Sequence, residues 1–138
     1  YLPLIKTMRQ WSDRKKMVEI PLFSSYVFVR IDRRFYDLVL QTHGVVKYIT
    51  FEGKAAAIPN DQIDNLKIIV NSNEKVDTTW ERYKKGDMVR VNAGSLKGLK
   101  GELITDGNRK KVLVRIEGID QNLKVEVHSS LIEKITVS

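Results

Sequence analysis

The stretch "KKGDMVRVNAGSLKGLKGELI", residues 84–104, contains three glycines, Gly94, Gly98 and Gly101, with lysines between them. A P-loop would need G-x-x-x-x-G-K-[ST] between a strand and a helix, because helix N-terminal amides and the lysine hold the phosphates. Here Gly98 is followed by Leu99, no Ser or Thr follows either lysine, and the next segment is strand-like. The glycines therefore indicate a loop between two strands, in which they allow positive φ and tight bends.

From residue 83 onward every element is short and strand-like, and the connections are turn-forming, as in Asp106-Gly107-Asn108. Five short strands in about 55 residues predict a small β-barrel. Within the glycine-containing loop, Leu96 and Leu99 either fill the core or form an apolar contact for a partner. The predicted strands are Met88–Val91, Gly101–Thr105, Lys111–Ile116, Leu123–Val127 and Leu131–Ile135.

The first half alternates strand-like and helix-like patterns. Residues 4–11 and 17–20 form a predicted hairpin, and the β-branched and aromatic run 26–31 predicts a further strand. Asp32 is a candidate N-cap for a first helix, Gly44 suits the end of that helix, and 45–50 reads as a strand. A second helix is predicted from about Pro59. The inward stripes of the two helices would be Phe35, Leu38, Val39 and Thr42, then Ile63, Leu66, Ile69 and Val70.

The order β-hairpin, β, α, β, α predicts an α+β sandwich of ferredoxin-like type that lacks its opening β-α unit. The chain starts as a strand already under way at Tyr1, so we expect it to begin inside a domain. Residues 71–82 are polar, with only Val76 and Trp80 strongly apolar. We therefore predict a first domain over 1–72, a linker over 73–82 and a second domain over 83–138.

The composition favours binding over catalysis. Lys and Arg number 24 against 17 Asp and Glu, a formal charge of +7 that favours an anionic partner, most often nucleic acid. The chain has no cysteine, and its two histidines, His43 and His128, are far apart in sequence without metal-ligand spacing. No apolar run approaches the roughly 20 residues that cross a bilayer. We expect no catalytic residue, no metal and no cofactor.

Two clusters are candidates for binding. The hairpin tip carries Trp11 among basic side chains, which could meet phosphates while the indole stacks; the alternative is a solvated turn with a half-buried Trp. On the strand 26–31, Tyr26 and Phe28 share one face, which is either buried under a helix or exposed as a protein-binding patch. The basic residues of the hairpin are Arg9, Arg14, Lys15 and Lys16.

Three motifs in order resemble the NusG family of transcription elongation factors. "IPLFSSYVFVRI" (20–31) is similar to the family's F-P-G-Y-V strand, with Ser24-Ser25 in place of Pro-Gly. "GVVKYITFEGKAAAIPNDQI" (44–63) is similar to its GV-x-x-F-I segment, and "GDMVRVNAGSLKGLKGELI" (86–104) to its KOW motif. The opening "YLPLIKTMRQWSDRKKMVEIPLF" most resembles UpxY-type, operon-specific antiterminators. The resemblance implies an N-terminal NGN domain and a C-terminal KOW domain, an SH3-like five-stranded barrel.

In such proteins the NGN domain docks on the clamp helices of the largest RNA polymerase subunit and suppresses pausing. The resemblance places Phe23 and Tyr26 in that contact, and Phe28 is added because it lies on the same face of the predicted strand as Tyr26. A Thr-Arg pair that meets the non-template DNA strand in RfaH-type paralogues reads Thr42-His43 here. Their His-Thr-Thr stretch is Tyr36-Asp37-Leu38 here, so the gate-loop contact is not carried over.

The family's KOW barrel contacts Rho or a ribosomal protein of the small subunit through aromatics. Leu96 and Leu99 replace two of these aromatics, and Glu117 replaces another, so Rho is disfavoured. Because 112–116 is β-prone, we expect a permanent barrel rather than one that refolds into helices. The resemblance further implies a monomeric, cytoplasmic bacterial protein without a membrane partner.

The leading hypothesis is a non-enzymatic elongation or antitermination factor. The first alternative is a structural KOW-type RNA-binding or ribosomal protein, and the second is a housekeeping NusG, with genome-wide rather than single-operon occupancy. A structural RNA-binding protein would use the second half's cations, with steep salt dependence. These are Arg90, Lys97, Lys100, Arg109, Lys110 and Lys111.

Overall fold

The computed structural model describes residues 1–116, 118–119 and 121–135, and it has an α+β architecture. A six-stranded antiparallel sheet dominates the described residues, accompanied by two two-stranded sheets and two α-helices. The elements are β1 (Leu4–Gln10), β2 (Lys15–Pro21), α1 (Tyr36–Leu40), β3 (Thr50–Phe51), β4 (Lys54–Ala55), α2 (Asn60–Ser72), β5 (Val76–Thr79), β6 (Met88–Val91), β7 (Lys100–Asp106), β8 (Arg109–Arg115), β9 (Asn122–Glu126) and β10 (Ile132–Lys134).

The predicted hairpin is confirmed. Strands β1 and β2 pair from Leu4↔Pro21 to Gln10↔Lys15. The Trp11 N–H donates to the Arg14 carbonyl over 2.8 Å and closes the turn. Near its base the hairpin packs Ile5 against the core, whereas every side chain from residue 8 to residue 17 is exposed. The hairpin therefore projects away from the rest of the chain.

The strand predicted over 26–31 is wrong. The segment belongs to none of the described sheets; the backbone bonds that we find for it join Phe28 to Tyr1, including a Phe28 N–H bond of 2.8 Å to the Tyr1 carbonyl. Val27 and Val29 are 57% and 46% exposed. A run of β-branched residues becomes a strand only where a neighbour satisfies its backbone groups, and β propensity alone does not supply that neighbour.

The strand predicted over 45–50 is reduced to its last residue. Thr50 and Phe51 form β3, which turns back into β4, and the Ala56 N–H extends the pair by donating to Ile49 over 2.8 Å. The preceding helix is shorter than predicted and packs differently. Asp32 accepts from the Arg34 N–H at 2.9 Å and caps the 3-10 turn Arg33–Phe35 rather than α1 itself, and α1 ends at Leu40, before the predicted end at Gly44. Phe35 and Leu38 are exposed rather than turned inward.

The second predicted helix is confirmed as α2. It starts at Asn60, directly after Pro59, and buries Leu66 and Ile69 completely. The helix ends at Ser72 and is followed by Asn73, whose φ of +58° is left-handed; the Ser72 hydroxyl donates to the Ile69 carbonyl over 2.6 Å. Apolar spacing therefore located this element correctly.

All five strands predicted in the second half are present: the bounds of β6 are as predicted, and those of the other four differ by one or two residues. The strand order is β10-β6-β7-β8-β9-β5, and the neighbours are antiparallel. The sixth strand, β5, lies in the segment predicted as a linker and pairs with β9 from Val76↔Val125 to Thr79↔Asn122. The segment predicted as a linker therefore contains a strand that was not predicted, because β9 offers backbone partners that a local pattern does not reveal.

One hydrophobic cluster joins the two halves of the chain. It contains Phe23 and Leu66 from the first half and Leu99, Val112 and Val125 from the second. Each of these five side chains is at most 1% exposed. The first half therefore packs its core against the sheet of the second half.

Candidate functional site

The aromatic turn, residues 22–28, brings together the three aromatic residues that the sequence assigned to a polymerase contact. Phe23 and Phe28 meet edge to face, with ring centroids 6.4 Å apart, and Tyr26 and Phe28 are half-buried against the core. Phe23 is 1% exposed, so it supports the turn from inside. In this arrangement Tyr26 and Phe28 are the members of the set that reach the surface.

The bend of the aromatic turn depends on Ser25. Its φ of +69° lies in the left-handed region, which costs an L-residue roughly 1–2 kcal/mol. The family pattern has glycine at this position, where no such cost arises. Ser25 reverses the chain between the buried Phe23 and the half-buried Tyr26, so the strain lies at the candidate contact itself.

Exposed apolar side chains continue from the aromatic turn. Val27 within the turn and Val29 and Ile31 after it are exposed in alternation; elsewhere in the first half, Leu38 and Val46 are 59% and 89% exposed. Scattered exposed apolar residues are ordinary, whereas a run of them beside an aromatic turn is typical of a surface that contacts protein. The sequence predicted only the aromatic part of this surface.

Thr42 and His43 lie in an exposed loop after α1. The Thr42 hydroxyl donates to the Leu38 carbonyl over 3.3 Å, so it is partly engaged in ending the helix. The rings of Tyr36 and Tyr48, which precede and follow this loop in sequence, stack with centroids 4.1 Å apart and planes 14° from parallel. Sequence reasoning missed this pair, because twelve residues separate its members and no spacing rule links them.

The basic residues of the hairpin gather around its tip. Arg9 lies opposite Lys16, Lys15 lies opposite Gln10, and the Arg14 guanidinium lies over the Trp11 ring, 5.4 Å from the centroid. All of these side chains are exposed. Trp11 is 43% exposed and contacts a cation rather than the core, which is compatible with both alternatives left open for it.

The glycine loop, residues 92–99, directs its leucines inward. Leu96 and Leu99 are 5% and 0% exposed, so they fill the core in this conformation. Gly94 and Gly98 adopt φ of +85° and +92°, as predicted. Glu117, the third residue assigned to a partner of this loop, lies outside the described residues.

Gly101 has a different role from the other two glycines. A Cβ at Gly101 would lie 2.6 Å from both the Leu113 carbonyl oxygen and Val112 Cγ1. The residue is therefore required for close approach of β7 to β8, and not for positive φ.

Two polar contacts fasten the glycine loop to the first half of the chain. Asn65 on α2 donates to the Lys100 carbonyl and accepts from the Lys100 N–H, both at 3.2 Å. The Ser95 hydroxyl donates to Glu74 over 2.8 Å. A side-chain amide that pairs with both groups of one peptide holds α2 in a fixed register on the loop.

Most cations of the six-stranded sheet are neutralised within it. Arg90 pairs with Glu133 at 3.5 Å and Arg109 with Glu126 at 3.0 Å. Lys111 and Lys124 both contact Asp106, at 3.1 and 3.0 Å, and their hydrogen bonds lower the pKa of that carboxyl group. Lys97 and Lys100 are exposed in or beside the glycine loop.

The described residues contain no group of three His, Cys, Asp or Glu placed to hold a metal ion. His43 is exposed. His128 is exposed as well, and its Nδ1 accepts from the Ser130 N–H at 3.2 Å as the cap of a short 3-10 turn. Within the same described part of the chain, no helix is long and apolar enough to span a membrane.

An α+β chain with a projecting basic hairpin, an aromatic turn and a six-stranded antiparallel sheet is suited to binding macromolecules. The family model described as "Transcription termination factor nusG" matches residues 1–67, which include the hairpin, the aromatic turn and α1. This match supports a transcription-related NusG-family factor; such factors are not enzymes and generally bind RNA polymerase. No curated protein matches the chain.

Proposed function

We propose that this protein is a non-enzymatic elongation or antitermination factor that binds RNA polymerase and suppresses pausing or termination. The observation that carries the proposal is the NusG-family match over 1–67, since the matched residues include all three aromatics assigned to the polymerase contact. Tyr26 and Phe28 would contact the clamp helices, while Phe23 holds the turn from below. The exposed apolar side chains from Val27 to Ile31 would widen that contact.

The proposed architecture is an NGN domain over 1–72 joined to a KOW domain over 83–138. The antiparallel order of β6 to β10 supports the second domain, and β5 joins the connecting segment to it. The KOW domain would recruit a second partner, with a small-subunit ribosomal protein favoured over Rho. Because Leu96 and Leu99 are buried, a partner that uses them requires the glycine loop to leave the core.

Operon-specific, UpxY-type action would require recognition of the exposed non-template DNA strand. Thr42 and His43 are exposed, and the stacked pair Tyr36 and Tyr48, whose members precede and follow them in sequence, offers aromatic surface to a base. Histidine attracts phosphate less than the family's arginine does, so shape and stacking would contribute more here. A cytoplasmic bacterial location and a monomeric state belong to the same proposal.

A structural RNA-binding role is the rival, and the ion pairs of the sheet argue against it. Of the six cations that would hold RNA, three (Arg90, Arg109 and Lys111) are paired with carboxylates. A cation already neutralised within the protein releases fewer counterions on binding a phosphate, which weakens salt-dependent affinity.

Co-purification tests the proposal. We expect the affinity-tagged protein to retain RNA polymerase subunits after nuclease treatment, because the aromatic turn forms a protein contact. Retention of stable ribosomal RNA without polymerase would contradict the proposal and support the structural alternative. Occupancy along the genome then separates an operon-specific factor, bound at one locus, from a housekeeping one, bound at most transcribed genes.

A further inference from the structure

We infer that the tip of the β1–β2 hairpin, residues 9–16, binds single-stranded nucleic acid by stacking an unpaired base on Trp11 and holding the adjacent phosphates with four cations. This inference rests on the proposed function only for its biological setting, where a polymerase exposes single strands. The binding itself needs no polymerase, so it can be measured independently.

The hairpin presents its tip as a preformed ribbon. Every residue from 8 to 17 is exposed. Seven cross-strand pairs and the Trp11 N–H bond to the Arg14 carbonyl hold the backbone. Because this conformation exists before binding, little chain entropy is lost when a ligand arrives.

Trp11 is arranged as a stacking platform. The residue is 43% exposed, and the Arg14 guanidinium lies over its ring at 5.4 Å. A cation over an exposed indole is attracted to the face of the ring and favours this orientation of it. The indole surface left exposed can receive a base, whose flat π face is available only when that base is unpaired.

The charges around the indole favour an anionic ligand. Arg9 and Lys16 lie directly opposite each other, an arrangement of like charges that destabilises a strand pair. None of the ion pairs found within the described residues involves Arg9, Arg14, Lys15 or Lys16. Phosphates would relieve this repulsion. The combination of free cations with an exposed indole selects a ligand that has both phosphates and open bases.

Tryptophan fluorescence of the protein tests the inference, because the chain contains two tryptophans, Trp11 and Trp80. In a Trp80→Phe background, titration with a 15-nucleotide oligothymidine should quench the remaining emission saturably. Trp11→Ala in the natural background should weaken binding by at least about fivefold, the lower end for one stacked base. Trp80→Ala is the matched control, since Trp80 is 67% exposed and directly follows β5 rather than lying on the hairpin; the affinity of this variant should stay within about twofold.

Salt dependence and competing ligands complete the test. The slope of log K against log salt should fall by about 0.7 for each phosphate contact removed by Arg9→Gln or Lys16→Gln. Unchanged affinity in Trp11→Ala would overturn the inference, as would equally tight binding of duplex DNA or of polyglutamate. If oligothymidine binds as expected while polymerase fails to co-purify, the proposed function fails and the inference about the hairpin stands.

Discussion

Phe23→Ala is expected to destabilise the protein by about 3–5 kcal/mol, the usual cost of truncating a buried phenylalanine. Phe23 is 1% exposed and lies in the cluster shared by both halves of the chain. Its removal also eliminates the edge-to-face contact with Phe28, 6.4 Å between centroids. Chemical denaturation followed by circular dichroism measures the loss as a lower midpoint.

Phe51→Ala is the matched control, because Phe51 is 71% exposed and has the same side chain. Its effect should stay within about 0.5 kcal/mol. Equal midpoints for the two variants would show that Phe23 is not in the core. The comparison also matters for function, since a loss of polymerase binding in Phe23→Ala would reflect unfolding rather than a missing contact.

Glu102→Ala is expected to have the second-largest effect. Glu102 is 6% exposed, accepts from the Gly86 N–H at 2.9 Å and forms an ion pair with Arg115, which also donates to the Tyr83 carbonyl over 3.0 Å. Breaking a buried pair costs about 3–5 kcal/mol. Because the Arg115 side chain is 40% exposed, we expect a smaller loss of about 2–3 kcal/mol.

The control for Glu102 is Glu126→Ala, which removes the solvent-exposed pair with Arg109 and should cost less than about 1 kcal/mol. Urea denaturation of both variants at pH 7 measures the difference. Indistinguishable unfolding free energies would contradict a structural role for the Glu102–Arg115 pair.

The same carboxyl group predicts an acid dependence of stability. Burial alone would raise the pKa of Glu102, but hydrogen bonds from Arg115 and Gly86, with the charges of Arg115 and Lys85, lower it below its ordinary value. A folded-state pKa below the unfolded value of about 4.3 stabilises the protein above that pH. The contribution is lost as pH falls through the folded pKa. The gap between native and Glu102→Ala unfolding free energies should therefore narrow below about pH 4.

Local sequence patterns predicted the elements that contain their own signals. The β1–β2 hairpin, α2 and the strands β6 to β10 follow from alternation, helical spacing and turn residues. The predictions that failed concern segments whose structure depends on residues distant in the sequence. The segment 26–31 is β-prone but lies outside the described sheets, whereas the polar segment at 76–79 becomes a strand because β9 is beside it.

The candidate site, like the fold, was predicted only where the signal is local in the sequence. Sequence grouped Trp11 with the cations of the hairpin, and Phe23 with Tyr26 and Phe28, but it predicted a strand where the aromatic turn lies and left the exposure of each side chain open. Burial of Leu96 and Leu99 follows from packing between the two halves, and Asn65 meets Lys100 across 35 residues. Contacts between residues this far apart leave no periodic pattern in the sequence from which they could be predicted. The left-handed Ser25 was equally unpredictable, because serine rarely adopts that conformation.

The central claim is that this protein acts on RNA polymerase through the aromatic turn, and pause duration measures it most directly. In single-round transcription on a template with a defined pause, the protein should shorten the dwell time. Tyr26→Ala should abolish most of that effect while keeping native circular dichroism, because Tyr26 is half-buried at the surface. Trp80→Ala should act like the native protein. An unchanged dwell time at saturating protein, or full activity in Tyr26→Ala, would contradict the account.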